Sequence, residues 1–110
     1  MNKKVLQVKT DQGKYPIIIG NNTILDLGIY LKPFLINKRV FVITSNKIIK
    51  IYKKKLLRIL KKNNIEAFFI VLKDGEDQKN IDTISKISNT LLNKGIDRND
   101  SIIAFGGGVI

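Results

Sequence analysis

Six residues, Arg39-Val40-Phe41-Val42-Ile43-Thr44, form an unbroken β-branched and aromatic run. Such a run predicts a strand that is buried on both faces of a sheet. Residues 46–62 then carry apolar side chains at helical spacing, and residues 67–72 predict a second buried strand. A second helix is predicted at 79–93 and a third strand at 101–105. Asn63-Asn64 fits the end of the first helix, and Gly95 is placed where a glycine ends the second. Strands that alternate with helices in this way predict a parallel sheet with right-handed crossovers.

The residues before this alternation predict a separate antiparallel pair of strands. Residues 5–8 and 15–19 have strand character, and 11–13 carry a turn signal between them. Asn22 or Thr23 is positioned to cap a short helix after the hairpin. We therefore predict an α/β fold, in which an N-terminal β-hairpin precedes a Rossmann-like βαβαβ parallel half-sheet.

The composition excludes several kinds of site. The chain has 110 residues, no Cys and no His. A disulfide scaffold, a thiolate metal site and a Cys nucleophile are therefore excluded, and the commonest metal ligand and general base is missing. No apolar run approaches the roughly 20 residues that span a bilayer, and no apolar targeting segment follows Met1. We expect a cytoplasmic protein with no membrane partner.

The net charge of +11 has two interpretations. Clustered lysines give non-specific affinity for phosphate, so a small basic nucleic-acid-binding protein is one alternative. The other is biased composition, since Ile, Lys and Asn are abundant and share AT-rich codons. Phe41, Phe68, Phe69 and Phe105 all lie in predicted strands and not beside a basic groove. We therefore expect no nucleic-acid partner, and a degraded gene product is a further alternative.

Three loops are predicted to meet at the carboxyl edge of the sheet, where ligands of such sheets bind. The loop after Leu72 carries carboxylates that suit ribose hydroxyls, and a lysine at the start of the next helix suits a phosphate. The triple glycine after Phe105 allows positive φ angles and a close approach of backbone amides to a phosphate. Ser45 or Asn46, after Thr44, suits an N-cap. Ordinary helix-capping and tight-turn roles remain open for all three loops.

The glycine loop differs from the usual dinucleotide fingerprint. Gly106 and Gly108 fit the start of G-x-G-x-x-G, but the sequence stops at Ile110 before the last glycine. The loop also follows the third strand of the alternation and not the first. Both points argue against an ordinary Rossmann dehydrogenase. A helix is expected after such a loop, so we interpret the chain as the N-terminal fragment of a longer protein.

Four segments, taken in order, resemble the 3-dehydroquinate synthase family of sugar-phosphate cyclases. Residues 14–20 resemble the family's opening S-Y-P-I-x-I-G, and 42–52 resemble its strand–loop–helix segment ending in L-Y. Residues 74–79 resemble D-G-E-x-x-K, and 103–110 resemble A-L-G-G-G-V-I-G-D without its last two residues. The resemblance covers this whole chain but only the opening part of the family's length.

The resemblance implies a function. The family converts 3-deoxy-D-arabino-heptulosonate 7-phosphate to 3-dehydroquinate and phosphate, a step of the shikimate pathway towards aromatic amino acids. It uses NAD catalytically and a divalent metal, usually zinc or cobalt. The implied cofactor-binding residues are Asp74, Gly75, Glu76, Asp77, Gln78, Lys79, Gly107, Gly108, Val109 and Ile110.

The resemblance also implies which of the family's sites lie outside these residues. Residues 1–110 would be the incomplete N-terminal part of the NAD-binding domain, truncated before the C-terminal α-helical domain that holds metal and substrate. No catalytic residue and no metal ligand can then be assigned here, because the family's catalytic lysines and its Glu and two His ligands lie further along. A homodimer is implied for the full-length protein. Ser45 replaces a common Asp or Asn, so an adenosine contact from Ser45 or Asn46 stays open.

Related activities remain as alternatives. Another sugar-phosphate cyclase or a metal-dependent polyol dehydrogenase has the same fold. The dehydrogenases usually have serine after the three glycines, where this chain has Val109. That difference favours a cyclase.

Overall fold

The computed structural model describes residues 3–110, so Met1 and Asn2, where a targeting segment was sought, lie outside the described residues. The elements are β1 (Lys3–Thr10), β2 (Gly13–Gly20), α1 (Leu27–Leu31), β3 (Arg39–Ser45), α2 (Asn46–Lys62), β4 (Glu66–Leu72), α3 (Ile81–Asn93) and β5 (Ser101–Ala104). Short 3₁₀ segments lie at Thr23–Asp26, Lys32–Phe34 and Glu76–Gln78. The predicted α/β fold is confirmed, with an antiparallel β1/β2 hairpin and a three-stranded parallel sheet.

The central strand of the parallel sheet is β3. The strand order is β4-β3-β5, and both neighbours run parallel to β3. Val40, Phe41 and Val42 are 0% exposed, because β3 has a strand on each side and a helix on each face. This position accounts for the unbroken apolar run, since neither face of the strand meets water.

Side chains of β3 alternate between two hydrophobic clusters on opposite faces of the sheet. One face, which we name the α2 face, holds Val40, Val42, Leu56, Leu60 and Ile65. The other, the α3 face, holds Phe41, Ile70 and Leu91. The two helices thus cover opposite faces, as right-handed crossovers to strands on opposite sides of β3 require.

Both long helices begin at a side-chain cap. The Oγ of Ser45 accepts a hydrogen bond from the amide three residues later at 3.3 Å, and the Oδ1 of Asn80 does the same at 2.8 Å. Of the two candidate caps for α2, the structure therefore uses Ser45. The prediction that the next helix begins at residue 79 is wrong, because Asn80 is extended and α3 starts at Ile81.

Both long helices end in the motif in which a left-handed residue closes the last turn. Asn64 has a φ of 60° and Gly95 a φ of 74°. The amide after each of them bonds to the carbonyl five residues earlier, at 2.9 and 3.1 Å. These ends confirm the predicted terminations.

No helix within residues 3–110 is both long and apolar enough to cross a bilayer.

The predicted side-chain cap after the hairpin is wrong. Asn22 has a left-handed backbone with a φ of 57°, and its side chain makes no capping hydrogen bond. An N-cap needs an extended backbone to direct its oxygen at the first turn. The segment therefore starts as a 3₁₀ turn at Thr23–Asp26 and becomes helical only in α1.

Because α1 packs closely on the end of α2, one methyl group added at Gly28 should destabilise the fold. Gly28 is buried, and a Cβ there would overlap the side-chain amide of Asn63 and lie 3.0 Å from its Cβ. We expect Gly28→Ala to lower the free energy of unfolding by about 1–3 kcal/mol, measured by urea denaturation. Adding Asn63→Ala should recover part of the loss. Equal stability of Gly28→Ala and the parent chain would contradict this packing.

The amino edge of the parallel sheet is held by an ion pair. The Arg39 guanidinium donates to both carboxylate oxygens of Asp100 at 2.7 and 2.6 Å, and the Asp100 side chain is fully buried. Asp100 also accepts from the Asn37 amide group at 2.8 Å and from the backbone amide of Asp97 at 2.9 Å. The hydrogen bonds from Arg39, outweighing the opposing effect of burial, hold the pKa of Asp100 well below its usual range. This pair ties the α3–β5 loop to the start of β3.

Candidate functional site

The carboxyl ends of β3, β4 and β5 meet at one edge of the sheet. A cavity of about 210 Å³ lies there, which we name the α2 cavity because it adjoins the first turn of α2. Its lining residues are Ser45, Lys47, Ile48, Lys73, Asp74, Gly75, Gly107, Gly108, Val109 and Ile110. The parallel sheet therefore brings the start of the acidic loop and the glycine loop to one place.

Asp74 connects the loop after β4 to the first turn of α2. Its Oδ1 accepts a hydrogen bond from the amide of Lys47 at 3.3 Å. Together with Ser45 it satisfies two of the free amides at the start of α2 and places a carboxylate at the positive end of the helix. The other carboxylate oxygen of Asp74 makes no hydrogen bond within residues 3–110 and is free to accept one from a ligand hydroxyl.

Nothing within residues 3–110 requires glycine at two positions of the triple-glycine loop, Gly107 and Gly108. The expected positive φ is absent there: among the described glycines, only Gly13, Gly75 and Gly95 have one. A Cβ on Gly107 or Gly108 would meet no atom within 4 Å. A side chain at these positions would instead project into open space beside the α2 cavity. Glycine at 107 and 108 thus suits a ligand that approaches the backbone closely.

The same loop presents unused backbone donors. The Ile110 amide closes a turn by bonding to the Gly107 carbonyl at 3.1 Å. The amides of Gly107, Gly108 and Val109 donate to no carbonyl in the described part of the chain. Successive free amides in a turn form a concave site for an anion such as a phosphate.

The backbone of the acidic loop is strained at Gly75, so a side chain there should destabilise the fold. Gly75 has a φ of 121° and a ψ of 155°, a conformation that only glycine adopts easily, and a Cβ there would lie 2.5 Å from Oδ1 of Asp77. We expect Gly75→Ala to lower the free energy of unfolding by about 1–3 kcal/mol in urea denaturation. Gly108→Ala, with an ordinary φ, is the control and should show no loss. Equal stability of both variants would contradict strain at Gly75.

The acidic loop does not act as one unit. Asp74 and Gly75 line the α2 cavity, whereas Gln78 and Lys79 line a separate cavity beside α3. Glu76 and Asp77 line neither cavity. The Lys79 ammonium lies 3.2 Å from the Glu76 carboxylate, and both side chains are largely exposed. The predicted placement of Lys79 in the first turn of a helix is wrong, because it precedes the cap of α3.

Sequence reasoning missed three residues of the α2 cavity: Lys47, Ile48 and Lys73. The two from α2 follow its cap, so the first-turn position was the available signal. Both lysines add positive charge at a site that already offers free amides. The buried hydroxyl of Thr44, with no hydrogen-bond partner in the described chain, also lies at the carboxyl end of β3.

The arrangement suits part of a dinucleotide and does not suit a metal ion. Free amides, two exposed glycines and the available oxygen of Asp74 match a pyrophosphate and a ribose hydroxyl in chemistry. A volume of about 210 Å³ is below the roughly 300 Å³ of small ligand pockets, so this cavity has room for only part of a dinucleotide. Within residues 3–110, no three Asp or Glu side chains group to hold a metal ion.

Sequence comparisons agree with the resemblance inferred from the motifs. Residues 69–110 match the family model described as the 3-dehydroquinate synthase N-terminal region. The whole chain is 34% identical to the 3-dehydroquinate synthase of Prochlorococcus marinus subsp. pastoris, of which it covers 31%. Over 97% of its length it is 38% identical to the 3-dehydroquinate synthase of Neisseria meningitidis serogroup C, of which it covers 30%. The resemblance is confirmed, and the chain spans about 30% of the length of these relatives.

Solved structures share the fold. A 2-deoxy-scyllo-inosose synthase superposes on 96% of this chain with a TM-score of 0.80 and 15% identity, and the chain covers 30% of it. A second structure of such an enzyme, with carbaglucose-6-phosphate, NAD+ and Co2+, has the same TM-score and identity, and the chain covers 29% of it. The chain therefore shares the fold of about 30% of the length of these enzymes.

Proposed function

We infer that this chain is the N-terminal third of a 3-dehydroquinate synthase, and we propose that it forms the dinucleotide-binding half of that enzyme's active site. The whole protein would convert 3-deoxy-D-arabino-heptulosonate 7-phosphate to 3-dehydroquinate and phosphate. One observation carries the proposal: the start of the acidic loop and the glycine loop, both matching the family, line one cavity at the carboxyl edge of the sheet. Bound NAD would accept a hydride from the substrate and return it.

Different residues of the α2 cavity would bind different parts of that cofactor. The free amides of Gly107, Gly108 and Val109 would bind the pyrophosphate, and the two bare glycine positions let it approach the backbone. Asp74 already occupies the first turn of α2, so its carboxylate disfavours a phosphate there. Its remaining oxygen would instead accept a hydrogen bond from a ribose hydroxyl.

Lys79 is assigned an indirect role. Its ammonium pairs with Glu76 and holds the 3₁₀ turn that follows Gly75. An exposed pair at this spacing contributes little stability by itself. We propose that Glu76, Asp77, Gln78 and Lys79 shape the loop and that the nearer adenosine contacts come from Asp74 and Gly75.

The remaining functions belong to polypeptide outside these 110 residues. A divalent metal, zinc or cobalt, would need ligands from elsewhere, because no three Asp or Glu side chains group within residues 3–110. We propose that a C-terminal domain supplies those ligands, the catalytic groups and the sugar-phosphate site. A homodimer and a cytoplasmic location are proposed on the same family resemblance.

The aromatic residues favour this proposal over a nucleic-acid-binding protein. Phe41 and Phe68 stack on each other on the α3 face, with ring centroids 5.4 Å apart. Tyr52 and Phe105 form an edge contact over the α2 face, with centroids 5.6 Å apart. These rings serve the protein interior and are not arranged as a platform for bases.

The proposal is tested by joining the chain, after Ile110, to the remaining two thirds of the Neisseria meningitidis relative. We expect the purified hybrid to release phosphate from 3-deoxy-D-arabino-heptulosonate 7-phosphate only when NAD is present. Gly107→Ala in the hybrid should raise the NAD concentration needed for half-maximal rate by at least about tenfold, whereas Gly95→Ala should not. A folded hybrid with no turnover above that of the relative's C-terminal part alone would contradict the proposal.

A further inference from the structure

The exposed surface of α2 carries charge of one sign only. Its 17 residues include eight Lys or Arg and no Asp or Glu, whereas α3 carries one lysine and one aspartate. Biased composition would enrich lysine on both helices, so it does not account for this difference. Four of the α2 cations recur at a spacing of three or four residues and therefore lie along one side of the helix. We name them the α2 stripe: Lys50, Lys54, Arg58 and Lys61.

No cation of the α2 stripe is neutralised within residues 3–110. The ion pairs of this part of the chain are Arg39–Asp100 and Lys79–Glu76, and neither involves the stripe. All four residues of the stripe are exposed. Like charges on successive turns of a helix repel one another, so a ligand with negative charges would relieve that repulsion. The stripe therefore favours an acidic partner.

A groove runs between the α2 stripe and β4, and we name it the α2–β4 groove. Two open cavities of about 550 and 750 Å³ lie along it. Each cavity is lined by two members of the α2 stripe and by a residue of β4, which is Val71 in the first and Ala67 in the second. Exposed Ile51 and Leu57 add aliphatic surface, and Glu66 is the single carboxylate among the lining residues. The groove thus combines a cationic wall with an aliphatic surface.

The other wall of the groove is the outer edge of β4, which pairs only with β3 within residues 3–110. The Glu66 amide donates to the Lys38 carbonyl, just before β3, at 2.9 Å, so the backbone groups of Glu66 point inward. Backbone groups alternate between the two sides of a strand, and those of Ala67, Phe69 and Val71 therefore point outward. β4 itself has no lysine or proline to block pairing there, so an extended chain can hydrogen-bond to this edge.

We propose that the α2–β4 groove binds an extended acidic segment of another protein, which adds as a strand to the edge of β4. This mode of binding takes affinity from main-chain hydrogen bonds and selectivity from alternate side chains. Carboxylates at every second position would face the α2 stripe, and the positions between them would lie on the α3 face beside Phe68 and Leu72. The seven residues of β4 span roughly 23 Å and the 17 residues of α2 roughly 25 Å, so the two walls match in length. The inference goes beyond the proposed function and does not rest on it.

The same features disfavour two other occupants. Two copies of this chain paired at β4 would bring their α2 stripes together on one face of the joined sheet, which like-charge repulsion opposes. A nucleic acid matches the charge of the stripe but cannot pair with a strand edge. No aromatic side chain is among the lining residues of either cavity to stack on a base.

The test is a fluorescence anisotropy titration of a labelled peptide that alternates glutamate and valine, with the 110-residue chain and with the hybrid enzyme described above. We expect both proteins to bind it with a dissociation constant on the order of 10 µM, which rises with salt. Lys54→Glu combined with Arg58→Glu should weaken binding by at least about tenfold. Lys62→Glu combined with Lys86→Glu is the matched control, because it changes the net charge equally at exposed residues that line neither cavity. The control should weaken binding by about twofold at most.

Two further measurements examine the strand pairing itself. The same peptide with a fully N-methylated backbone keeps its charge but has no amide donors, and it should bind at least about tenfold more weakly. Amide exchange of Ala67, Phe69 and Val71 should slow when the unmodified peptide is bound. Gly107→Ala should leave peptide binding unchanged, so failure of this proposal is distinguishable from failure of the cofactor proposal.

Four results would overturn the proposal. Equal binding of the N-methylated peptide would mean that charge alone attracts the ligand. Equal losses in the two double variants would mean that net charge and not the α2 stripe is responsible. Oligouridylate that binds as tightly as the peptide and depends on the same stripe residues would indicate a nucleic-acid surface. Binding by the 110-residue chain and not by the hybrid enzyme would mean that the enzyme's own polypeptide covers the groove. Circular dichroism establishes that the variants fold, and Lys54→Gln provides a milder second variant.

Discussion

Gly107→Ala and Gly108→Ala will each weaken NAD binding by at least about tenfold without lowering the stability of the chain. The added Cβ meets no protein atom within 4 Å and requires no positive φ, so the fold tolerates it. Alanine at a compatible φ even stabilises by roughly 0.4–1 kcal/mol, because it restricts the unfolded chain. The same methyl group would hold a pyrophosphate away from the free amides of the loop. Affinity is measured by titration with NAD, and stability by urea denaturation.

Gly95→Ala gives the opposite pattern and serves as the matched control. Gly95 has a φ of 74° and ends α3 at the far edge of the sheet from the α2 cavity. We expect alanine there to cost roughly 1 kcal/mol of stability and to leave NAD affinity unchanged. If Gly107→Ala and Gly95→Ala changed NAD affinity equally, the glycine loop would not be the cofactor site.

Arg39→Ala will destabilise the chain strongly, because it leaves the buried Asp100 carboxylate without its main partner. Arg39 is partly exposed, so its removal lets water reach the carboxylate, and the loss is mainly that of the two hydrogen bonds to a charged group. We expect the thermal midpoint at pH 7 to fall by on the order of 5 °C. Asp11→Asn, at an exposed aspartate in the β1/β2 turn, is the control and should change it little.

The same pair makes stability depend on pH in a defined direction. Arg39 lowers the pKa of Asp100 in the folded protein relative to the unfolded chain. As the pH falls, the Asp100 carboxylate is therefore protonated in the unfolded chain before it is protonated in the folded protein. The pair contributes its whole stabilising free energy above the ordinary aspartate pKa, and this contribution declines as the pH falls below that value. Asp100→Asn should reduce that decline in acid urea titrations. An unchanged acid dependence in Asp100→Asn would show that the pair does not contribute in this way.

Regular features of the fold were predictable because one local signal determined each of them. The β3 run predicted a strand buried on both faces, and the alternation after it predicted the parallel order. Gly95 and Asn64 marked the helix ends, because few residues accept the left-handed conformation that closes a helix. The convergence of the loops on one sheet edge also followed from strand direction alone.

The features that could not be predicted from the sequence depend on contacts between distant residues or on details of backbone geometry. The hydrogen bond from the Lys47 amide to Asp74 joins the first turn of α2 to the loop after β4, and these two segments have no sequence pattern in common. The positive φ falls on Gly75 and not on the triple glycine, which local composition cannot distinguish. Asn22 had the residue type of a cap without its backbone conformation.

The most direct test of the central claim is an NMR titration of the ¹⁵N-labelled 110-residue chain with NAD at millimolar concentration. We expect shifts at the amides of Gly107, Gly108 and Val109 and at the Lys47 amide, which donates to Asp74. These shifts should persist when salt is raised, and Gly107→Ala should reduce them. Shifts confined to the lysine-rich surface of α2 and lost in salt, or no shifts in the glycine loop, would contradict a dinucleotide site at this edge of the sheet.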